Sequence, residues 1–268
     1  GGAEVVAAAR AAEAAGFAWV SCSDHVAVPV SRAAAMGATW FDAGSTLAFV
    51  AGATTRVRLL SHVLVLPYRH PLLVAKQYGT LDHLSCGRVI LGVGSGHLKP
   101  EFAVLGADFE RRGRVSDDAV RAIAAAWLNE VAAYEGGSVS FRDVIVSPRV
   151  AQRPRPPIWV GGNSRAAVRR AARLGDGWVP WELTPEACRN AVAFARRLRA
   201  EAALPDAFEV VAPLAAPPEA SADTLLASAD AWQRAGATAF QVGIGAASLA
   251  ELLERTAWFG REVITRLA

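Results

Sequence analysis

Lysine is almost absent from this chain: Lys76 and Lys99 stand against 28 basic residues in all, so nearly every positive charge is an arginine. These charges are interspersed with 25 acidic residues to leave a formal net charge of +3, and they form no basic stripe of the kind that grips nucleic acid. Arg169, Arg170 and Arg173 share one short helical stretch and read as a solvated face. Nucleic acid is therefore not an expected partner. Cysteine is scarce too. Cys22, Cys86 and Cys188 lie far apart with no CxxC or His-rich spacing, which excludes a disulfide framework and a zinc site; no metal is expected, and a reducing cytoplasm fits. No apolar run reaches the roughly 18 to 20 residues that span a bilayer, and the first residues show no basic segment followed by an apolar one, so neither a membrane nor secretion is expected. What remains is 268 residues of 53% apolar content, enough for the substantial core of an enzyme-sized body.

The apolar residues come in two alternating periods. Runs of strand length at 57–65 and 88–93 each end in polar or glycine residues, and each is followed by a helix-period segment, which is a repeated βα unit. Before them stand a helix at 4–15 stopped by Gly16, a strand at 17–23 ending at Asp24 and His25, a Gly/Pro/Ser-rich loop at 26–38 and a helix at 42–53. A helix at 71–84 separates the two runs, and another covers 115–129. An insertion at about 129–157 contains the alternating stretch GSVSFRDVIV followed by prolines, which predicts a hairpin. Strands at 158–160, 178–180, 208–214 and 239–244 then alternate with helices at 165–174, 185–203, 222–235 and 249–267, for seven strands and eight helices. In a (β/α)8 TIM barrel a helix follows each strand, so this α/β pattern reads as a single barrel domain over 1–268 lacking its first strand. A doubly wound open sheet competes, but its GxGxxG fingerprint is missing: residues 92–96 read GVGSG.

In a barrel the functional groups follow the strands, which singles out Asp24 and His25, Ser61 and His62, Gly94, Ser95 and Gly96, Gly161 to Ser164, and Trp181 and Glu182. Gly161, Gly162, Asn163 and Ser164 open a helix, where free amides and a hydroxyl suit a phosphate; the same residues also make an ordinary N-cap and tight turn. His25, an imidazole beside a carboxylate at a strand end, suits proton transfer. His62 interrupts an apolar strand and needs a partner or a ligand, whereas His70 and His83 read as structural. Gly92, Gly94 and Gly96 imply close approach by a planar ring or another backbone, or a tight bend at the rim.

The stretches PYRHPLLVAKQYGTLDHLSCGRVILGVGSG (67–96), EFAVLGADFERRGR (101–114) and PPIWVGGNSRAAVRRAARLGDGW (156–178), with SDH at 23–25, resemble the bacterial luciferase-like monooxygenase superfamily, in particular its branch dependent on the deazaflavin coenzyme F420. The resemblance covers almost the whole chain and weakens after about Glu182. It implies a barrel with an insertion that binds a flavin or deazaflavin at the strand ends, and an oxidoreductase that moves hydride to or from a small organic substrate. It further implies a non-prolyl cis peptide at Ser61–His62 or His62–Val63 behind the ring, His25 beside the reactive ring carbon, and the cofactor's phosphate at Gly161 to Ser164. Asp24, Ser61, His62, Val63, Gly94, Ser95 and Gly96 would line the ring, and Arg69 or Lys76 would meet an acidic tail. Relatives commonly dimerise, so a homodimer is expected. Two departures argue against glucose-6-phosphate as substrate: His97 replaces the acid of the deazaflavin-dependent sugar-phosphate dehydrogenases, and Pro29 stands where they carry a tryptophan. The alternatives are an FMN-dependent monooxygenase using molecular oxygen, a non-catalytic flavin-binding relative, and a phosphate-binding barrel isomerase or lyase.

Overall fold

Side chains that satisfy exposed amides mark where the helices start. Ser164, Thr184, Ser221 and Ser248 accept bonds from the amides of Ala167, Ala187, Thr224 and Glu251, and Pro71 and Pro185 occupy first turns, where no N–H is needed. The computed structural model describes residues 1–267. In chain order its elements are α1 (Gly2–Ala14), β1 (Trp19–Cys22), α2 (Val30–Met36), α3 (Ala43–Ala51), β2 (Arg58–Ser61), β3 (Leu64–Val65), α4 (Pro71–Leu84), β4 (Val89–Gly94), α5 (Lys99–Val104), α6 (Arg112–Leu128), β5 (Ala132–Glu135) and β6 (Ser140–Val144). There follow β7 (Ile158–Gly161), α7 (Arg165–Leu174), β8 (Gly177–Val179), α8 (Pro185–Glu201), β9 (Glu209–Ala216), α9 (Ala222–Arg234), β10 (Ala239–Ile244) and α10 (Leu249–Phe259), the last prolonged by a π-helical turn, Gly260–Ile264.

The chain divides into two compact units. In the unit formed by Ser21–Ala51 and Leu59–Gly161, β4 is the central strand. It pairs in parallel with β2 and β3 on one side, Leu59 opposite Val89 and Leu64 opposite Val93, and with β7 on the other, Leu91 opposite Ile158. Every residue of β4 is buried, as an apolar run in a parallel sheet covered on both faces requires. The β5–β6 hairpin lies within the predicted insertion. The other unit, comprising residues 1–20, 52–58 and those from Gly162 onward, sets β8 and β10 in parallel on either side of β9. Its core gathers Leu214, Leu225, Ala229, Phe259 and Val263, with Phe17 stacked on Phe259 at 5.5 Å between centroids.

Four local expectations need correction. The apolar run at 57–65 is two strands, because a cis peptide at His62–Val63 separates β2 from β3. The loop at 26–38 contains α2, whose VSRAAAM sequence forms nearly two turns after Pro29. Helix α5 was not anticipated; its start at Lys99 and Pro100 resembles a loop in composition. Arg170 is buried, so only Arg169 and Arg173 of the supposed solvated face are exposed. Among the described residues no helix is long and apolar enough to cross a membrane, and no group of His, Cys, Asp or Glu side chains gathers as a metal site would need. The three cysteines are free thiols.

A carboxylate organises the approach to β2. Glu13, near the end of α1, accepts the successive amides of Thr55, Arg56 and Val57 at 2.9, 2.6 and 2.9 Å. Those bonds, from Val57 foremost and then Arg56, hold its pKa down to about 2 from 4.5. A depressed carboxyl pKa adds stability that is fully present above about pH 4.5 and disappears as the pH falls through about 2. Glu13→Gln keeps an oxygen for the amides but loses the charge. Its melting temperature is therefore expected to lie below that of the native chain at pH 7 and to converge on it as the pH falls through about 2. A deficit that persists unchanged at low pH would mean that geometry, not charge, holds the segment.

Candidate active site

The residues that follow β1, β2 and β4 meet within one unit. Asp24, just after β1, spends both carboxylate oxygens inside the protein: Arg69 grips them at 2.6 and 2.7 Å, and the amide of Val65 donates at 2.9 Å. Such a fork-to-fork pair is both strong and directional. It ties the end of β1 to the segment after the cis peptide, and it leaves the Arg69 guanidinium engaged rather than free for an acidic cofactor tail. Lys76 is likewise occupied, donating to the carbonyl of Ser147.

His25 is held by a residue that the sequence reading passed over. Its Nδ1 lies 2.9 Å from Oε2 of Glu101, which is wholly buried in the first turn of α5. Glu101 also accepts the amides of Val26 at 2.6 Å and Ala27 at 3.0 Å and the Tyr68 hydroxyl at 3.1 Å. Burial alone would raise the pKa of this carboxyl, but the Ala27 amide, His25 and the Val26 amide outweigh it and hold the group below its ordinary value. Burial, with the neighbouring Glu101 charge, pushes the Tyr68 phenol up. The His25 ring meets Trp40 edge-on at 4.6 Å and His97 at 6.2 Å, and burial followed by the proximity of His25 lowers the pKa of His97. The sequence marks Glu101 only as an acid before Phe102 in the 101–114 stretch, with no local sign of its burial.

Ser61, His62 and Val63 carry the cis bond, which falls at the second of the two positions expected. Ser61 is buried and donates to the carbonyl of Gly92 at 2.9 Å. His62 is half-buried, and burial pushes its pKa down. Each glycine at 92, 94 and 96 admits a close neighbour within the protein. A Cβ at Gly92 would collide with the Ser61 backbone; one at Gly94 would sit 2.7 Å from Val63 Cγ2; one at Gly96, where φ is +75°, would sit 2.7 Å from both Phe102 and Val65. Close approach by another backbone is observed at Gly92, while the nearest neighbours of Gly94 and Gly96 are side chains. Between them, the Ser95 hydroxyl is buried with no hydrogen-bond partner. His70 caps α4 by accepting from the Leu72 amide, and His83 pairs with the Arg149 carbonyl.

Gly161 ends β7, and Gly162, Asn163 and Ser164 begin the second unit. Gly162 adopts φ +109°, and its carbonyl accepts the Trp178 indole at 2.8 Å. Asn163 bonds the backbone of Trp181 in both directions, and Ser164 caps α7 by accepting from Ala167 at 3.1 Å. The N-cap reading of these residues is therefore realised. A hydroxyl that accepts from Ala167 keeps its own hydrogen to donate.

The family described as luciferase-like monooxygenase matches residues 1–263 of this sequence. The chain belongs to that family. Among its relatives, an uncharacterized protein of Mycobacterium tuberculosis is 33% identical over 218 residues, covering 75% of this chain and 73% of the relative. The FMNH2-dependent dimethylsulfone monooxygenase of Pseudomonas putida is 35% identical over 127 residues, covering 46% of this chain and 35% of that enzyme. Two solved structures share the fold: the monooxygenase RslO1 from Streptomyces bottropensis, with a TM-score of 0.87, 22% identity and coverage of 100% and 94%, and the coenzyme F420-dependent tetrahydromethanopterin reductase from Methanopyrus kandleri, with 0.84, 17%, 100% and 96%. The fold is thus the α/β parallel architecture of the luciferase-like TIM barrels.

Proposed function

We propose that the chain is an oxidoreductase that exchanges hydride between the deazaflavin coenzyme F420 and a small organic substrate. The observation that carries this reading is the half-buried His25, one ring nitrogen committed to a buried carboxylate and the other left for proton transfer. The surroundings fit a bound ring: among the described residues the buried Ser95 hydroxyl has no hydrogen-bond partner, and His62 stands half-buried beside the cis bond. When bound, the deazaflavin supplies the ring carbon that gives or receives hydride. The protein's own residues orient and exchange the proton. Ser95 and the His62–Val63 segment hold the ring, Asp24 acts by bracing that segment through Val65 and Arg69, and His25 moves a proton on the substrate.

A second reading, an FMNH2-dependent monooxygenase, is favoured by the similarity to the dimethylsulfone enzyme. Titrating the purified protein with each coenzyme while following fluorescence quenching separates the two. Saturable quenching of coenzyme F420, with no response from FMN, is expected. Tight binding of FMN alone would transfer the assignment to the monooxygenase reading, and binding of neither would overturn both.

A further inference from the structure

Glu101 presents four hydrogen-bond acceptances on two oxygens, and their arrangement dictates its chemistry. Oε1 faces the amides of Val26 and Ala27, which can only donate; Oε2 faces His25 Nδ1 and the Tyr68 hydroxyl. A proton on Oε1 would confront two N–H groups, and one on Oε2 is disfavoured because the same donors hold this carboxyl below its ordinary pKa, so the side chain stands as an anion. An anionic oxygen 2.9 Å from Nδ1 needs a hydrogen there. A neutral imidazole carries one proton, and a carboxylate that claims it for Nδ1 leaves a lone pair on Nε2.

We propose that Glu101 is the positioning residue of His25: its buried carboxylate fixes the ring as the Nδ1–H tautomer and makes Nε2 the atom through which His25 exchanges a proton with the substrate. In that exchange the substrate's X–H bond breaks, its electron pair stays on X, and a new N–H bond forms at Nε2. The resulting imidazolium is then offset by the carboxylate at its other edge. The proton-exchange half of the proposal rests on the oxidoreductase reading; the tautomer half does not.

The test exploits what Glu101→Gln must do. Its amide oxygen stays with the obligate donors Val26 and Ala27, which turns the NH2 group toward Nδ1 and forces that nitrogen to accept, inverting the tautomer. Protein carrying ring-15N histidine, with the His25 signals assigned by their loss in His25→Asn, is examined by long-range 1H–15N correlation on the neutral ring. The native chain and Tyr68→Phe are expected to show Nδ1–H, and Glu101→Gln to show Nε2–H. A residue that merely braces the 26–27 backbone would leave the tautomer unchanged in Glu101→Gln, and that result overturns the proposal. So does an Nε2–H ring in the native chain, a result that decides the matter even where Glu101→Gln does not fold. In the coenzyme-loaded enzyme kcat should fall at least about a hundredfold with KM little changed, since the amide replacement of the carboxylate behind a serine-protease histidine costs on the order of 10⁴ through the wrong tautomer. Because the spectra need no coenzyme, failure to bind F420 overturns the oxidoreductase reading while leaving the tautomer assignment to be judged separately.

Discussion

Gly92→Ala is expected to lower the melting temperature by about 2 to 12 °C, on the scale of roughly 2 to 4 °C per kcal/mol for a chain of this size. Gly92 lies in the central strand, opposite Trp159 on β7, and on its other side the β2 backbone passes close against it. An alanine Cβ would stand 2.9 Å from Leu60 Cδ1 and 3.1 Å from the Ser61 carbonyl carbon, with the carbonyl oxygen nearer still. A side-chain tip can rotate away from such a clash, but a backbone carbonyl cannot. Relief requires β2 to part from β4, which stretches the Ser61 hydroxyl bond to the Gly92 carbonyl. Overpacking of this kind costs about 1 to 3 kcal/mol, a large share of the roughly 5 to 15 kcal/mol that stabilise an ordinary fold. Gly243→Ala, on β10, is the control, because a Cβ there meets nothing within 4 Å. Equal melting temperatures for the two variants would show that β2 yields freely and that the close approach is not what requires glycine.

The same glycine shows where sequence pattern stops being informative. Period and punctuation display the βα alternation plainly, because buried parallel strands must be continuous apolar runs and helices must carry caps. The strand at 88–93, the helix at 71–84 and the cap at Ser164 were legible for that reason. A glycine in a strand, however, says only that something comes close, not what it is. Gly92, Gly94 and Gly96 are equally compatible with a ring and with a neighbouring backbone, and only tertiary placement shows Ser61, Val63 and Phe102 in the space. Glu101 was hidden by a different physics. A charged residue in a helix's first turn is ordinarily solvated and favourable to the helix dipole. Nothing local announces that this one is buried beneath a loop 75 residues earlier in the chain. Asp24 was legible as a site residue, but its bidentate grip by Arg69 was not, since that contact joins residues 45 apart.

His25→Asn should slow turnover by about 10²- to 10⁴-fold while leaving the fold and coenzyme affinity unchanged, the range by which a positioned general acid or base accelerates proton transfer. Asparagine is the informative replacement because of what stands behind the ring. Its amide nitrogen reaches roughly where Nδ1 lies, so Glu101 keeps its donor, and what disappears is the nitrogen on the far side. His25→Ala removes both at once and leaves a buried carboxylate one donor short, at a cost of about 1 to 3 kcal/mol. The pair of variants therefore separates support of the loop from proton transfer: alanine is expected to lower the melting temperature and turnover together, and asparagine to lower turnover alone. Thermal melts, coenzyme titration and single-turnover rates on the two proteins read these effects directly. If His25→Asn turns over at the native rate with coenzyme bound, the histidine is a structural partner of Glu101, and the proton must be carried by another group near the Ser95 hydroxyl, with His97, 6.2 Å from the His25 ring, the first to examine.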